Sequence, residues 1–347
     1  MEELRNLVSK DELKKRLQTD DEPRTTVSFY KYFPIEEPQN FRDEIYKNLE
    51  KIGVLGRIYV ASEGINTQIS VPERNFQVFK DYLYSIDFLD GVRLNVAVDD
   101  DGKSFWVLHI RVRKKIVADG IDDPTFSMTR RGAYLNAEEF NELTENPETI
   151  IVDMRNYYEY EVGHFENALE VSSDTFREQL PMAVEMLEES KNKNVIMYCT
   201  GGIRCEKASA YLLHNGFTNV YHLEGGIIEY VHQVKKQGLE NKFKGVNFVF
   251  DNRLGEQITD EIISHCHQCG EKSAAHHNCE NAACHLLFIQ CDDCREKFNG
   301  CCGEECQKFN NLPPEEQKEL RRLTNENPDS FNNSRKLWRT RFFDVRG

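Results

Sequence analysis

Between residues 25 and 118 the chain alternates between strand-like and helix-like patterning. Thr25–Lys31 is rich in β-formers, and Gly56–Ala61 and Ile65–Val71 flank the turn Ser62-Glu63-Gly64. Phe41–Ile52 has Phe41, Ile45, Leu49 and Ile52 on one helical face, and Phe76–Ile86 predicts a second helix. Arg93–Val98 and Ser104–Val112 complete the set as strands, with Asp99-Asp-Asp-Gly102 predicting a hairpin turn between them. The order β-α-β-β-α-β predicts a ferredoxin-like (acylphosphatase-like) α+β domain over 25–118.

Residues 119–130 read as a linker, and 131–240 as a second, α/β domain. Ile150–Met154, Val195–Tyr198 and Asn219–Leu223 are short apolar strands alternating with helices at Glu206–Leu213 and Ile227–Lys236. That alternation predicts a parallel sheet with helices on both faces, whose ligands bind at the carboxyl ends of the strands. Cys199 stands at such an end. Residues 1–24 read as a peripheral helix and linker, 245–310 as a cysteine-rich segment and 311–347 as a polar, basic tail. The overall class is α/β.

Charge and targeting signals narrow the setting. Nothing resembles a membrane span or a secretory signal at Met-Glu-Glu-Leu-Arg, which predicts a cytoplasmic protein. The formal net charge of −15 argues against nonspecific nucleic-acid binding by the whole surface. Local basic clusters remain: Arg111, Arg113, Lys114 and Lys115; Arg130 and Arg131; and the tail from Arg335 to Arg346. Of 11 cysteines, two lie at 199 and 205 and the other nine between 266 and 306. Such clustering points to metal binding, and the isolated pair to catalysis.

The loop Cys199-Thr-Gly-Gly-Ile-Arg204 contains Gly201 and Gly202, whose amides can turn toward a thiolate, and it runs into a helix. Arg204 adds a cation. These features lower a thiol's pKa. The loop resembles that of the rhodanese family, as do Val152-Asp153-Met-Arg155 with Glu159 and Gly163-His164, and Leu223-Glu-Gly225-Gly226. Six residues suit a persulfide sulfur; rhodanese-fold phosphatases use seven, which counts against phosphatase activity. Thr200 departs from the frequent arginine, which counts against thiosulfate as donor. Cys205 is either a resolving thiol or core on the first helical turn. Asp153 and Arg155 read as an ion pair supporting the loop or, alternatively, as substrate contacts.

In the cysteine-rich segment, the Cys-x-x-Cys units Cys266/Cys269 and Cys291/Cys294 suit one tetrahedral zinc site. Cys279, Cys284, Cys306 and either Cys301 or Cys302 suit a second, with His265, His267, His276, His277 and His285 in reserve.

Ala61-Ser-Glu-Gly-Ile-Asn66, the Cys199 loop, Cys284–Cys291 and Phe298–Cys302 together resemble the bacterial tRNA uridine hydroxylase family over nearly the whole chain. The resemblance implies oxygen-dependent conversion of uridine 34 to 5-hydroxyuridine, with Cys199 required, molecular oxygen as co-substrate and the tRNA anticodon stem-loop as partner. Thiolate addition at C6 of the uracil would make C5 nucleophilic toward the oxidant. The clusters Arg111–Lys115 and Arg130-Arg131 would then meet phosphate, and Tyr59 or Phe105 would stack on bases. No flavin, haem or NAD motif is visible, and the sequence carries no signal of oligomeric state. Two other readings stand beside this one. One is a sulfurtransferase carrying persulfide on Cys199; the other is a noncatalytic, zinc-stabilised RNA-binding module.

Overall fold

In the N-terminal region, two helices cover one face of a five-stranded sheet. The computed structural model describes residues 21–173 and 175–324 and a few positions before residue 21. Most of the expected N-terminal helix and the basic stretch Arg335–Arg346 therefore lie outside the described residues. Strand β1 is Arg24–Tyr32, β2 is Leu55–Ala61, β3 is Gly64–Pro72, β4 is Asn95–Val96 and β5 is Leu108–Val112. Helix α1 spans Pro38–Ile52 and α2 spans Phe76–Tyr84. The sheet order β4-β1-β3-β2-β5 is the ferredoxin-like arrangement, with β5 added at the edge parallel to β2. Val27, Phe29, Ile58, Val60, Ile65 and Ile69 point into the core beneath the helices. The alternate positions, among them Ser28, Tyr30, Asn66, Gln68, Arg57 and Tyr59, therefore face the opposite side.

The expected hairpin through Asp99–Gly102 is not formed: β4 and β5 lie at opposite edges of the sheet. Acidic side chains bind the local backbone instead. Asp100 accepts from Thr26 N at 2.5 Å and from Gly102 N at 2.9 Å, and Asp101 accepts from Lys103 N at 2.8 Å. Asp100 thus caps the edge of β1 where a paired strand would otherwise continue. Ser104–Val107, expected within a strand, is irregular, and the chain crosses to β2 before pairing begins.

The second sheet, order β6-β11-β10-β7-β9, is parallel throughout. Its strands are β6 (Ala133–Leu135), β7 (Ile150–Asp153), β9 (Leu169–Glu170), β10 (Asn194–Tyr198) and β11 (Asn219–Leu223). Helices α3 (Ala137–Thr144), α4 (Tyr157–Val162), α5 (Phe176–Met186), α6 (Ile203–His214) and α7 (Gly226–Gln237) complete the region. Separate apolar clusters lie on its two faces, one under α5 and α6 and one under α3 and α7.

The cysteine-rich segment is joined to this region by backbone pairing. Strand β8 (Gly163–Phe165) pairs with β12 (Phe243–Asn247), which pairs with β13 (Glu256–Gln257). Strands β14 (His276–Asn278) and β15 (Leu287–Ile289) form a small hairpin sheet, followed by α8 (Asp292–Lys297), α9 (Glu304–Asn310) and α10 (Pro314–Thr324). Tyr157, Tyr158 and Val162 share a buried cluster with Phe248, Leu287, Phe288 and several cysteines. Among the described residues, no helix is long and apolar enough to cross a membrane.

Candidate active site

Strand β10 ends at Tyr198, and the six-residue loop Cys199–Arg204 wraps the Cys199 sulfur and runs into α6, which begins at Ile203. Gly202 adopts φ +96°, a left-handed conformation that favours glycine, and donates its N–H to Cys199 Sγ at 3.2 Å. Gly226 allows the close approach from below: a Cβ there would lie 2.4 Å from the Cys199 carbonyl oxygen. Ile227 N–H then donates to that oxygen at 3.0 Å.

The Cys199 sulfur is fully buried. Burial alone would raise its pKa. The Cys205 thiol, the Arg204 charge and the backbone N–H groups of Cys205 and Arg204 overcome that effect and lower it to about 6. The sulfur is thus held as a thiolate near neutral pH. Cys205, the third residue of α6, is itself buried in the core, and burial pushes its pKa well up. It is therefore a protonated donor to Cys199, and it belongs to the core as well.

Arg204 does not simply face the sulfur. Its guanidinium forks onto Glu159 at 2.7 and 2.8 Å, and Thr200 Oγ1 donates to the same carboxylate at 3.3 Å. Glu159 is fully buried, so this pair is both the loop's anchor and the source of its fixed positive charge. Asp153 and Arg155 lie beneath, also fully buried and paired at 2.6 Å. Arg155 is held over the Tyr198 ring and donates to Gly163 O at 2.5 Å. Neither residue lines the cavity described next.

Cys199, Thr200, Gly201 and Arg204 form one wall of a cavity of about 430 Å³. The uncovered face of the N-terminal sheet forms the opposite wall, with Ser28, Tyr30, Gln68 and Tyr59. Val249, Phe250, Asp251, Arg253 and Glu256 of the C-terminal segment close the side. Contacts tie the three regions around it. Asn95 Nδ2 donates to Gly201 O at 3.3 Å, and Tyr32 OH donates to Ile203 O at 3.2 Å. Arg57 donates to the Phe250 carbonyl. Glu63, from the Ala61–Asn66 stretch, receives Lys207 of α6 at 2.5 Å, and the same ammonium reaches Asp119 at 2.7 Å. Glu159 stood in a motif without a role, whereas Asn95, Gln68 and Lys207 carried no motif. The sequence signal for the sheet residues is the polar alternation in β1 and β3, a face with no helix left to cover it.

The cysteines separate into two sets of four. Cys266, Cys269, Cys291 and Cys294 form one; Cys279, Cys284, Cys302 and Cys306 form the other, with all sulfurs in a set within 4.8 Å of one another. The sulfurs are 3.5 Å apart in Cys269–Cys291, 3.7 Å in Cys284–Cys302 and 3.6 Å in Cys302–Cys306. These exceed a disulfide bond and approach the roughly 3.8 Å edge of a tetrahedron of thiolates around zinc. Cys302 joins the second set and Cys301 joins neither, because successive side chains leave the backbone in different directions. None of the five reserve histidines belongs to either set. His267 is engaged by Glu161 at 2.8 Å and by Ile289 N–H at 3.1 Å, and His277 by Arg295 at 2.5 Å.

Residues 24–116 match the family described as UPF0176 acylphosphatase like domain, 136–233 the rhodanese-like domain and 244–307 the rhodanase C-terminal domain. The chain is 61% identical over 335 residues to a tRNA uridine(34) hydroxylase of Pectobacterium carotovorum, spanning 96% of this chain and 94% of that protein. Identity to the protein of that name from Photorhabdus laumondii is 58% over 333 residues, 96% of this chain and 95% of that one. The chain belongs to the tRNA uridine(34) hydroxylase family.

The basic residues singled out in the sequence fall into two groups. Arg111, Arg113 and Lys114 are exposed at and just beyond β5, and Arg113 lies over the Tyr59 ring at 5.6 Å. Arg130 is also exposed. Lys115 is half-buried and Arg131 exposed, and each is held in an ion pair. Lys115 pairs with Asp119 at 2.5 Å, and Arg131 pairs with Glu206. Phe105 is buried with Arg57 over its ring, Tyr59 is half-buried, and both line the cavity.

Proposed function

We propose that this protein hydroxylates uridine 34 of tRNA to 5-hydroxyuridine, with molecular oxygen as co-substrate and Cys199 as the nucleophile. The observation that carries the reading is a thiolate-stabilising loop, in a chain of this family, opening on a cavity whose far wall is a polar and aromatic sheet face. The proposed chemistry starts with addition of the Cys199 thiolate to C6 of the uracil, which gives C5 enolate character. C5 then takes one oxygen atom of O₂, while two electrons and two protons from an external donor carry the other away as water. Loss of the C5 proton and of the thiolate restores the ring. Gly202 N–H and the fixed Arg204 charge hold the sulfur anionic before addition and after release. The anticodon loop leaves the target base unpaired, so turning it into the cavity is inexpensive.

In this reading each cysteine set holds a structural zinc ion. Four thiolates close the coordination sphere, and metal binding supplies folding free energy to a segment with little apolar core. Arg111, Arg113, Lys114 and Arg130 contact phosphates of the anticodon stem-loop. The boundaries 25–118, 131–240 and 245–310 serve as the working domain division, in a cytoplasmic enzyme of monooxygenase type. The test is nucleoside mass spectrometry of unmodified tRNA incubated with purified protein, reductant and ¹⁸O₂. A labelled 5-hydroxyuridine at position 34, absent with Cys199→Ser, is expected. No product with wild type, together with persulfide transfer to cyanide, would overturn the reading in favour of a sulfurtransferase.

A further inference from the structure

Directly paired residues on neighbouring strands share a face of a sheet. On the N-terminal sheet the pairing aligns Asn95, Ser28, Gln68, Arg57 and His109 across β4, β1, β3, β2 and β5. The adjacent row is Tyr30, Asn66, Tyr59 and Arg111. With strands about 4.8 Å apart, the first row runs roughly 19 Å from the Cys199 loop to the outer sheet edge.

The first and fourth members of the first row are already engaged. Asn95 Nδ2 donates to Gly201 O at 3.3 Å, and the Arg57 guanidinium donates to the Phe250 carbonyl. Between them, Ser28 Oγ and the Gln68 carboxamide line the cavity and have no side-chain hydrogen-bond partner among the described residues. Ser28 Oγ faces the catalytic loop: it lies 3.8 Å from where a Cβ on Gly201 would be. Both residues are half-buried, so their polar groups are open to a ligand that enters the cavity.

A pyrimidine edge suits this pair. Uracil presents a carbonyl, an N–H and a carbonyl in succession. A carboxamide offers one donor and one acceptor side by side, and a hydroxyl offers a further donor. We propose that Gln68, with Ser28 beside it, binds the hydrogen-bonding edge of the target pyrimidine and holds its ring against the Cys199 loop. The inference rests on the proposed tRNA substrate and adds the residue that receives the base. The adjacent row then offers the flanking nucleotides the Tyr59 ring and the exposed Arg111 side chain.

The test is fluorescence anisotropy with full-length protein and two anticodon stem-loop RNAs, one with uridine and one with an abasic residue at position 34. Wild type is expected to bind the uridine RNA about tenfold more tightly, the size of one good bidentate contact. Gln68→Met keeps the side-chain length. It is expected to erase that preference while leaving the abasic-RNA affinity, the thermal midpoint and the metal content unchanged. Ser28→Ala is expected to reduce the preference about threefold, the loss of one hydrogen bond. Retention of the full preference by Gln68→Met overturns the inference and leaves the proposed function standing. Equal binding of both RNAs by wild type also overturns it. Failure of wild type to bind either RNA removes the proposed function and the inference together.

Discussion

Cys199 and the C-terminal cysteines place the same side chain in opposite settings. Around Cys199 a single sulfur gathers several donors: Gly202 N–H, further amides of the loop, the Cys205 thiol and a charge fixed by Glu159. Around Cys279 three other thiols gather, with the Cys302 N–H donating to its sulfur at 3.4 Å. Hydrogen bonds with Cys284, Cys302 and Cys306 push the Cys279 thiol up, and the bond with Cys279 pulls Cys306 down. One arrangement makes a lone thiolate without a metal; the other has four sulfurs that ionise together only around a cation. Sulfur chemistry here is set by what surrounds each thiol, and the two regions ought to fail in different ways when disturbed.

The sharpest break between them is Cys199→Ser. A hydroxyl at that site is a far weaker nucleophile, so hydroxylation falls by about 10³-fold or more. Elemental analysis and the thermal midpoint should match wild type, because the sulfur's role is chemical. A variant that lost activity and metal together would join the two regions into one functional unit and end the comparison.

Next in size is removal of the metal. Two zinc ions per chain are expected by elemental analysis, one for each set of four sulfurs. Cys302→Ser should lose one ion and destabilise the segment by several kcal/mol, whereas Cys301→Ser should keep both. An unchanged metal count in Cys302→Ser would move the second site elsewhere. Unfolding here should reach the catalytic region, since β12 pairs with β8 beside Arg155 and Phe250 covers the cavity.

The same contrast separates what the sequence reveals from what it conceals. Cysteines two apart on a loop must lie close together, so the first metal set is legible from spacing. The choice between adjacent Cys301 and Cys302 depends on a backbone turn that spacing does not encode. The ferredoxin-like order is legible from alternation, yet β4 has only two residues, and its pairing with β1 depends on Asp100 capping that edge. Strands β6 and β9, three and two residues long, are too short to show a period. The Cys199 loop announces itself because glycines and a basic residue occur together in sequence. Its opposite wall does not: Ser28, Arg57 and Gln68 come from three separate strands and meet only through sheet register. Likewise Glu159 and Arg204 are separate motif members until folding makes them a buried pair.

That buried pair allows a subtler test. A Cys199 pKa of about 6 predicts that activity rises with pH through about 6 and levels above it, as the thiolate forms. Removing Arg204 alone would leave Glu159 charged and buried, at a cost of about 3–5 kcal/mol. Arg204→Met combined with Glu159→Gln removes both charges. The acid limb should then move up toward the ordinary thiol range, with activity about tenfold lower at pH 7. Recovery at higher pH would distinguish lost thiolate from lost structure. An unmoved limb would assign the low pKa to the loop amides and Cys205.

The smallest effects belong to the exposed cations at the far end of the sheet face. Arg111 and Arg113 lie outside the cavity, so neither should alter the chemistry of the sulfur or the metal content. Neutralising one phosphate contact lowers the dependence of log affinity on log salt by about 1 unit, a few-fold change in binding at moderate ionic strength. Arg111→Gln should therefore raise KM for tRNA a few-fold and leave kcat unchanged. Arg113→Gln should do slightly more, because Arg113 also packs on Tyr59 and losing it frees that ring. Lys115→Gln provides the internal contrast. Its ammonium is bound to Asp119 and the Ile121 carbonyl, so its removal should lower stability while leaving the salt dependence of tRNA binding as it was. If Lys115→Gln changed the salt slope as much as Arg111→Gln, the line drawn between the RNA-facing and the internally engaged cations would be misplaced.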